Sequence, residues 1–314
     1  MPGILLATHG GVSADGAVRV AASLSKRLGV ALTAACVIEP RVTIDAGAGV
    51  PYLGIPDDAG EIERELLAAT STQLTRYGIA TPVRLLLGSA ATEIAATART
   101  MNAELIVLGI GPHGLLDRAL GHETALQLVQ IAATPVMAVA ADAITAPRHV
   151  LAAVDFSPTS FLSVRTVARW LDAGDTLHLV HVVQPPRDAD RARADETSVS
   201  GSLATALNAI VLDLALREGV TVRTTVAIGE PAQLLIDLAE QEDADLIALG
   251  SHGYGIWKRL TLGSVASKVV RVSTRSTLVT PIGCLGAPQR VEPVASQRPA
   301  DWSGVEASTS RGVR

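Results

Sequence analysis

The sequence predicts two tandem α/β domains, each an open, doubly wound five-stranded parallel sheet with helices on both faces. Three observations carry that prediction. The chain has 314 residues, about twice a typical domain of roughly 150. It is also written twice: Ala103-Glu104-Leu105-Ile106-Val107-Leu108-Gly109 returns as Ala244-Asp245-Leu246-Ile247-Ala248-Leu249-Gly250, and Ile4-Leu5-Leu6-Ala7-Thr8-His9 returns as Val150-Leu151-Ala152-Ala153-Val154-Asp155. Within each copy, finally, short Val/Leu/Ile/Ala runs alternate with helical patterns, and the runs are continuous, as in strands buried on both faces of a parallel sheet. One unit spans residues 1–143 and the other 147–283, a period far too long for a solenoid.

The elements follow in order. Ile4–Ala7 reads as a strand beginning almost at Met1, which leaves no room for a signal peptide. A helix ends at Gly78 after Arg76-Tyr77, and 135–140 is the fifth strand of the first unit. In the second unit the strands are 150–154, 176–183, 221–227, 246–249 and 276–280. Ser157-Pro158 and Glu230-Pro231 mark helix starts with proline in the first turn, and Gly219 after Arg217-Glu218 marks a helix end. Short connections then imply right-handed crossovers, and the two fifth strands are available to pair as an internal pseudo-dimer. Residues 41–60 and 185–200 read as surface excursions, and 285–314 as a disordered or loosely attached tail.

Composition narrows the function. Lys plus Arg total 26 against 31 Asp plus Glu, so the chain lacks the basic excess of a nucleic-acid binder. Its two cysteines, Cys36 and Cys284, form no CxxC, which disfavours a disulfide scaffold and points to a reducing cytoplasm. No apolar run reaches the roughly 18 residues of a membrane span.

The segment from Gly250 to Ser264 follows a buried strand and opens a helical pattern carried by Val265, Ala266, Val269 and Val270. Glycines at a strand end let a ligand approach the backbone, and a Gly-Ser pair at a helix start offers free N–H groups and the positive end of the helix dipole, a phosphate site. The bland alternative is that Gly250 turns the chain and Ser264 caps a helix. Asp155 ends the unit's first strand; if the first and fourth strands are neighbours, it flanks the same crevice as Gly250. It is also suited to a plain turn role ahead of Pro158.

Gly250-x-x-Gly253, nine residues, then Gly263-Ser264, together with Val154-Asp155-Phe156-Ser157, His181-Val182-Val183 and Gly229-Glu230-Pro231-Ala232, resembles the universal stress protein family in its tandem form. The resemblance implies strand order 3-2-1-4-5 and ATP bound by the second unit. Asp155 would meet the adenine or ribose, and the Val182 backbone would line the adenine. Leu249 and Gly250 would form the floor, Gly253 would admit the phosphates, and Gly263, Ser264 and Val265 would hold the triphosphate, with Mg²⁺ riding on it. His252 joins these as a possible phosphate contact, equally readable as a solvated loop histidine.

The first unit departs from this pattern. His9 stands in place of Asp155, its glycine loop is one residue shorter, and Gly121-His122 replaces Gly263-Ser264. Gly109-x-Gly111-x-x-Gly114 satisfies a dinucleotide pattern but follows the fourth strand, and Pro112 removes an N–H. His122-Glu123 lacks the second histidine of HExxH. His178 and His181, read as sharing one strand face, lack a third metal ligand, and Lys258-Arg259 read as solvated loop charges. The expectation is therefore a cytoplasmic ATP-binding sensor acting on an unidentified regulatory protein, with no nucleic-acid or membrane partner. A slow ATPase or nucleotide-dependent transferase, and a scaffold that binds no nucleotide, are the alternatives, and homodimerisation of chains stays open.

Overall fold

The computed structural model describes residues 3–44, 51–54, 59–110, 117–184, 196–252 and 262–286. The first unit runs β1 (Gly3–Ala7), α1 (Asp15–Leu28), β2 (Ala31–Ile38), β3 (Arg41–Ile44), β4 (Pro51–Gly54), α2 (Ala59–Arg76), β5 (Val83–Leu87), α3 (Ala90–Thr100), β6 (Leu105–Ile110), α4 (Asp117–Ile131) and β7 (Val136–Ala140). The second runs β8 (His149–Ala153), α5 (Pro158–Ala168), β9 (Thr176–Val183), α6 (Glu196–Asp213), β10 (Thr221–Ile228), α7 (Pro231–Gln241), β11 (Leu246–Gly250), α8 (Ser264–Val272) and β12 (Ser276–Thr280). Ten strands form one sheet in the order β10-β9-β8-β11-β12-β7-β6-β1-β2-β5, and within each unit all pairs are parallel. Each half thus has the expected 3-2-1-4-5 order.

The continuous apolar runs become central strands because both of their faces are covered. Val150, Leu151 and Ala152 of β8 and Leu246, Ile247 and Ala248 of β11 are wholly buried. In the second unit, alternate residues meet opposite helix layers. Val150, Ala152, Leu246 and Ala248 pack with Val164 and Val167 of α5 and Leu207 of α6, whereas Leu151, Ile247 and Leu249 pack with Leu235 of α7 and Val269 of α8. No helix among the described residues is long and apolar enough to cross a membrane.

Local chemistry sets the helix ends. Ser157 caps α5, its Oγ accepting from the Ser160 N–H at 3.2 Å, with Pro158 in the first turn. Glu230 caps α7 by accepting from the N–H groups of Ala232 and Gln233, and it also pairs with Lys268 of α8 at 3.0 Å. Gly78 turns the chain just after α2 at φ 68°. The helix stop expected at Gly219 is corrected: α6 already ends at Asp213, and Gly219, at φ 87°, serves instead the turn into β10. The excursion at 41–60 holds the antiparallel β3–β4 pair, outside the main sheet, and the start of α2. Residues 185–195 and the tail from 287 lie outside the described residues; the excursion expected over 185–200 is corrected at its end, where α6 begins at Glu196, and Leu285, the first residue of the expected tail, closes the 3-10 turn Ile282–Leu285.

The units join through their fifth strands. β7 and β12 pair antiparallel, with Val136 opposite Val279, Met137 opposite Leu278 and Ala138 opposite Thr277, all buried. A polar clamp supports this seam. Asp175, 2% exposed, receives Arg27 of the first unit at 2.9 Å and Arg148 at 2.8 Å, while Arg19 donates to the Ala141 and Ala143 carbonyls of the connecting segment.

The hydrogen bonds at Glu230 hold its carboxyl below the usual range, chiefly through the Gln233 N–H and then Lys268. A group whose pKa is depressed on folding stabilises the fold above its unfolded pKa, and that contribution is lost as pH falls through the folded value. Glu230→Ala should therefore cost about 1 kcal/mol in urea unfolding near neutral pH, and the gap from wild type should close as the buffer is taken below the carboxylate range.

Candidate functional site

β8 and β11 pair directly, Val150 with Leu246 through Ala152 with Ala248. The chain leaves β8 toward α5 on one face of the sheet and leaves β11 toward α8 on the other. Their carboxyl ends therefore form the switch point where open α/β sheets receive ligands.

Asp155 lies just beyond β8 with an exposed side chain, and its Oδ1 accepts from the Ser157 N–H at 2.9 Å. One carboxylate oxygen is thus committed to the turn that launches α5. Phe156, between them, sits at φ 61°, in the left-handed region, and packs on Phe161 and His181. On the neighbouring strand, the Val154 N–H donates to the Val180 carbonyl at 2.8 Å. Backbone direction alternates along a strand, so Val182, two residues on, turns its N–H and C=O to the same side, past the last residue of β8. The resemblance implies a nucleotide contact from this backbone.

At the end of β11, a Cβ on Gly250 would lie 2.4 Å from Thr159 Oγ1 and 2.7 Å from the Ser160 nitrogen. The missing side chain lets the first turn of α5 close onto the strand. Leu249 is 3% exposed, its side chain in the core between β11, α7 and α8. Beyond Gly250 the two ends of the glycine loop are tied together: the Gly263 N–H donates to the Ser251 carbonyl at 2.9 Å, and a Cβ on Gly263 would lie 2.8 Å from that oxygen. Gly253, Lys258 and Arg259 lie outside the described residues. Ser264 opens α8 with an exposed side chain, and Val265 packs half-buried against the core. The helix cap is Gly263, which has no side chain to satisfy the first-turn N–H groups.

His252 is 8% exposed, and its ring is only half satisfied. Nδ1 pairs with Ser251 Oγ at 2.8 Å and the backbone oxygen accepts from Thr159 Oγ1 at 3.1 Å, but the buried Nε2 meets no partner among the described residues. A buried polar nitrogen left so costs about 1–3 kcal/mol and calls for an explanation. Thr159, Ser160 and Ser251, none of them singled out in the sequence, assemble this corner. Of the residues around Pro158, only Ser157 was legible in the sequence, as a helix cap.

The expected shared face of His178 and His181 is corrected. Strand side chains alternate, so an odd spacing separates them. His178 meets Glu242 at 2.9 Å and Thr225 at 2.8 Å, and His181 meets the Val154 carbonyl at 2.6 Å. No group of three His, Cys, Asp or Glu residues that could hold a metal occurs among the described residues.

In the first unit, His9 Nδ1 accepts from the Gly11 N–H at 3.2 Å and Nε2 pairs with Ser13 at 3.1 Å. Gly109 repeats the close approach of Gly250, here to Ala14 at 2.8 Å. The reading of Gly121-His122 as the helix start is corrected: α4 begins at Asp117, so His122 lies within the helix. Residues 111–116, including His113, lie outside the described residues.

The family model described as the Universal stress protein family matches residues 2–140 and again 147–281. A universal stress protein of Mycolicibacterium smegmatis is 26% identical over 300 residues, covering 88% of this chain and 96% of that protein. One from Mycobacterium tuberculosis is 26% identical over 292 residues with the same coverage of both chains. A solved universal stress protein from Archaeoglobus fulgidus shares the fold at a TM-score of 0.60 and 20% identity, covering 89% of this chain and 98% of its own.

The contact at Gly250 yields a prediction independent of any ligand. Gly250→Ala drives a methyl group into the Thr159 hydroxyl and the α5 backbone, and should destabilise the chain by about 1–3 kcal/mol, read as a lowered urea midpoint. A midpoint equal to wild type would mean that α5 does not sit this close.

Proposed function

Because the chain belongs to the universal stress protein family, we propose that it is an ATP-binding regulatory protein in which the second unit holds the nucleotide. One observation carries the reading: beside the loop tied by Ser251 and Gly263, α8 starts on a glycine that offers its first turn no side-chain cap, and the buried Nε2 of His252 has no partner among the described residues. Helix N–H groups with the positive end of a dipole favour an anion, and a triphosphate supplies the oxygens. Gly263, Ser264 and Val265 would hold it with His252, and Gly253 would admit it. Leu249 and Gly250 would form the floor, with Asp155 and the Val182 backbone at the adenosine end. Mg²⁺ would be carried by phosphate oxygens and water, as it usually is.

The Ser251 hydroxyl and the His252 ring do pair, but both are buried and no third group among the described residues orients the ring, which favours a sensor over an enzyme. In this reading, occupancy orders the loop and alters a surface offered to a regulatory protein in the cytoplasm. Steady-state phosphate release faster than about one per second, the low end of ordinary enzymes, would favour an ATPase instead. Failure of ATP to raise the melting temperature would favour a scaffold.

Gly263 is a poor place to probe the site, because any side chain there collides with Ser251. Ser264→Asp is the sharper test. An acidic residue in the first turn favours the helix dipole by about 0.3–1 kcal/mol, so thermal stability should hold or rise while the added charge repels phosphate. ATP affinity should fall at least tenfold in calorimetry, and unchanged affinity would remove α8 from the site.

The two units should not be equivalent. The first has His9 for the carboxylate and a helix that starts at Asp117 in place of a Gly-Ser junction. Losing two contacts at about 1.4 kcal/mol each weakens binding a hundredfold. Calorimetry at about pH 8, above the ordinary histidine range, should give one ATP per chain, and Asp155→Ala should weaken that site about tenfold. Two equal sites would overturn the asymmetry.

A further inference from the structure

The two units build the seam between their first two helices differently. In the first unit, side chains lace α1 to α2. Gln73, 2% exposed, donates to Asp15 at 2.7 Å and to the Gly11 carbonyl at 2.8 Å, and accepts from Thr8 at 2.8 Å. Arg19 donates to the Tyr77 hydroxyl just past α2 at 3.0 Å, its guanidinium over that ring. A Cβ on Gly10 would lie 2.8 Å from Ala69, so α2 sits directly on the loop after β1.

In the second unit, counted from the correspondence of His9 with Asp155, Phe156 takes the place of Gly10, Phe161 that of Asp15 and Arg165 that of Arg19. Aromatic bulk replaces a glycine and a polar tie. The seam between α5 and α6 is an open groove of about 340 Å³ lined by Phe161, Arg165, Ala209, Ile210, Asp213 and Leu214. Its floor is apolar, and its rim carries the Arg165–Asp213 ion pair. Leu212 stands beside it 88% exposed.

We propose that this groove receives the chain's own C-terminal segment, with the Trp302 indole as its anchor. The 3-10 turn Ile282–Leu285 packs against α5, so the segment that follows starts at the helix forming one wall of the groove. From Gly286 to Trp302 an extended chain reaches about 50 Å, while the 11 residues of α5 span about 16 Å. The chemistry matches as well. An indole brings a large apolar face and one N–H donor that seeks an acceptor when buried. The groove offers Phe161, Ile210 and Leu214 beneath a carboxylate at Asp213. Tethering in cis supplies an effective concentration in the millimolar range, enough for a single anchor. The inference is independent of nucleotide binding.

The test is ¹⁹F NMR of the full chain labelled with 5-fluorotryptophan, whose three tryptophans give three resonances. Trp302→Phe assigns the tail signal. That signal should be displaced from its position in urea-unfolded protein, and Ala209→Arg, on the exposed side of α6, should return it there. The Trp170 signal, from a ring 5% exposed, should stay put and so report an intact fold. Ala209→Glu serves as a second obstruction if the arginine disturbs Trp170. A Trp302 signal at the unfolded position in the parent chain would overturn the proposal. So would one that neither obstruction moves, or a displacement that fades on dilution, which would put the segment in a second copy's groove.

Discussion

The end of each fourth strand is held by one steric constraint: a helix from the first βα crossover lies so close that no side chain fits between. Gly250 meets Thr159 and Ser160, and Gly109 meets Ser13 and Ala14. A methyl at either position would push the helix from the sheet and open the crevice that the switch of strand order creates. Much else at the corner depends on that approach. The Thr159 hydroxyl reaches the His252 carbonyl because α5 is close, and Ser251 can then hand its own carbonyl to Gly263. The start of α8 is fixed by a chain of contacts that begins with a missing Cβ.

The second organising feature is the seam between units. Three opposed pairs of buried residues make the β7–β12 ladder, but the clamp beside it decides how the halves are held. Asp175 is nearly inaccessible and accepts from two arginines on either side of the connection between the units. Such a carboxylate is tolerated in a dry setting only with its partners in place, since removing one leaves a charge buried without compensation. The clamp therefore makes the relative placement of the halves part of the electrostatics of the second unit.

Most of the architecture was legible in the sequence because it rests on patterns confined to short stretches. The strand at 246–249 declared itself through an unbroken apolar run, and Ser157-Pro158 and Glu230-Pro231 declared helix starts through the donors that a first turn leaves unpaired. What escaped depends on distant parts of the chain. The β3–β4 hairpin hid in a stretch rich in glycine and proline, where strand propensity is weak. Gly219 looked like a helix stop because the sequence does not reveal that α6 already ends at Asp213. At the site, Asp155 and the Gly250–Ser264 spacing stood out, but the role of Gly250 in seating α5 did not, since the atoms that demand it come from Thr159 and Ser160. The half-satisfied ring of His252 was equally invisible, because it depends on which neighbours a fold supplies.

The antiparallel pairing of β7 with β12 also sets a polarity. Strands within each half run together, so the halves run in opposite directions, and one half's strand endings lie at the same end of the sheet as the other half's beginnings. Duplication has therefore not produced two copies of one face. Each end of the ten-stranded sheet is a composite, strand endings on one side and strand beginnings on the other. A macromolecule docking across an end would touch unlike surfaces, and because the two units differ in sequence the two ends are not equivalent, as they would be in a symmetric pair of identical subunits.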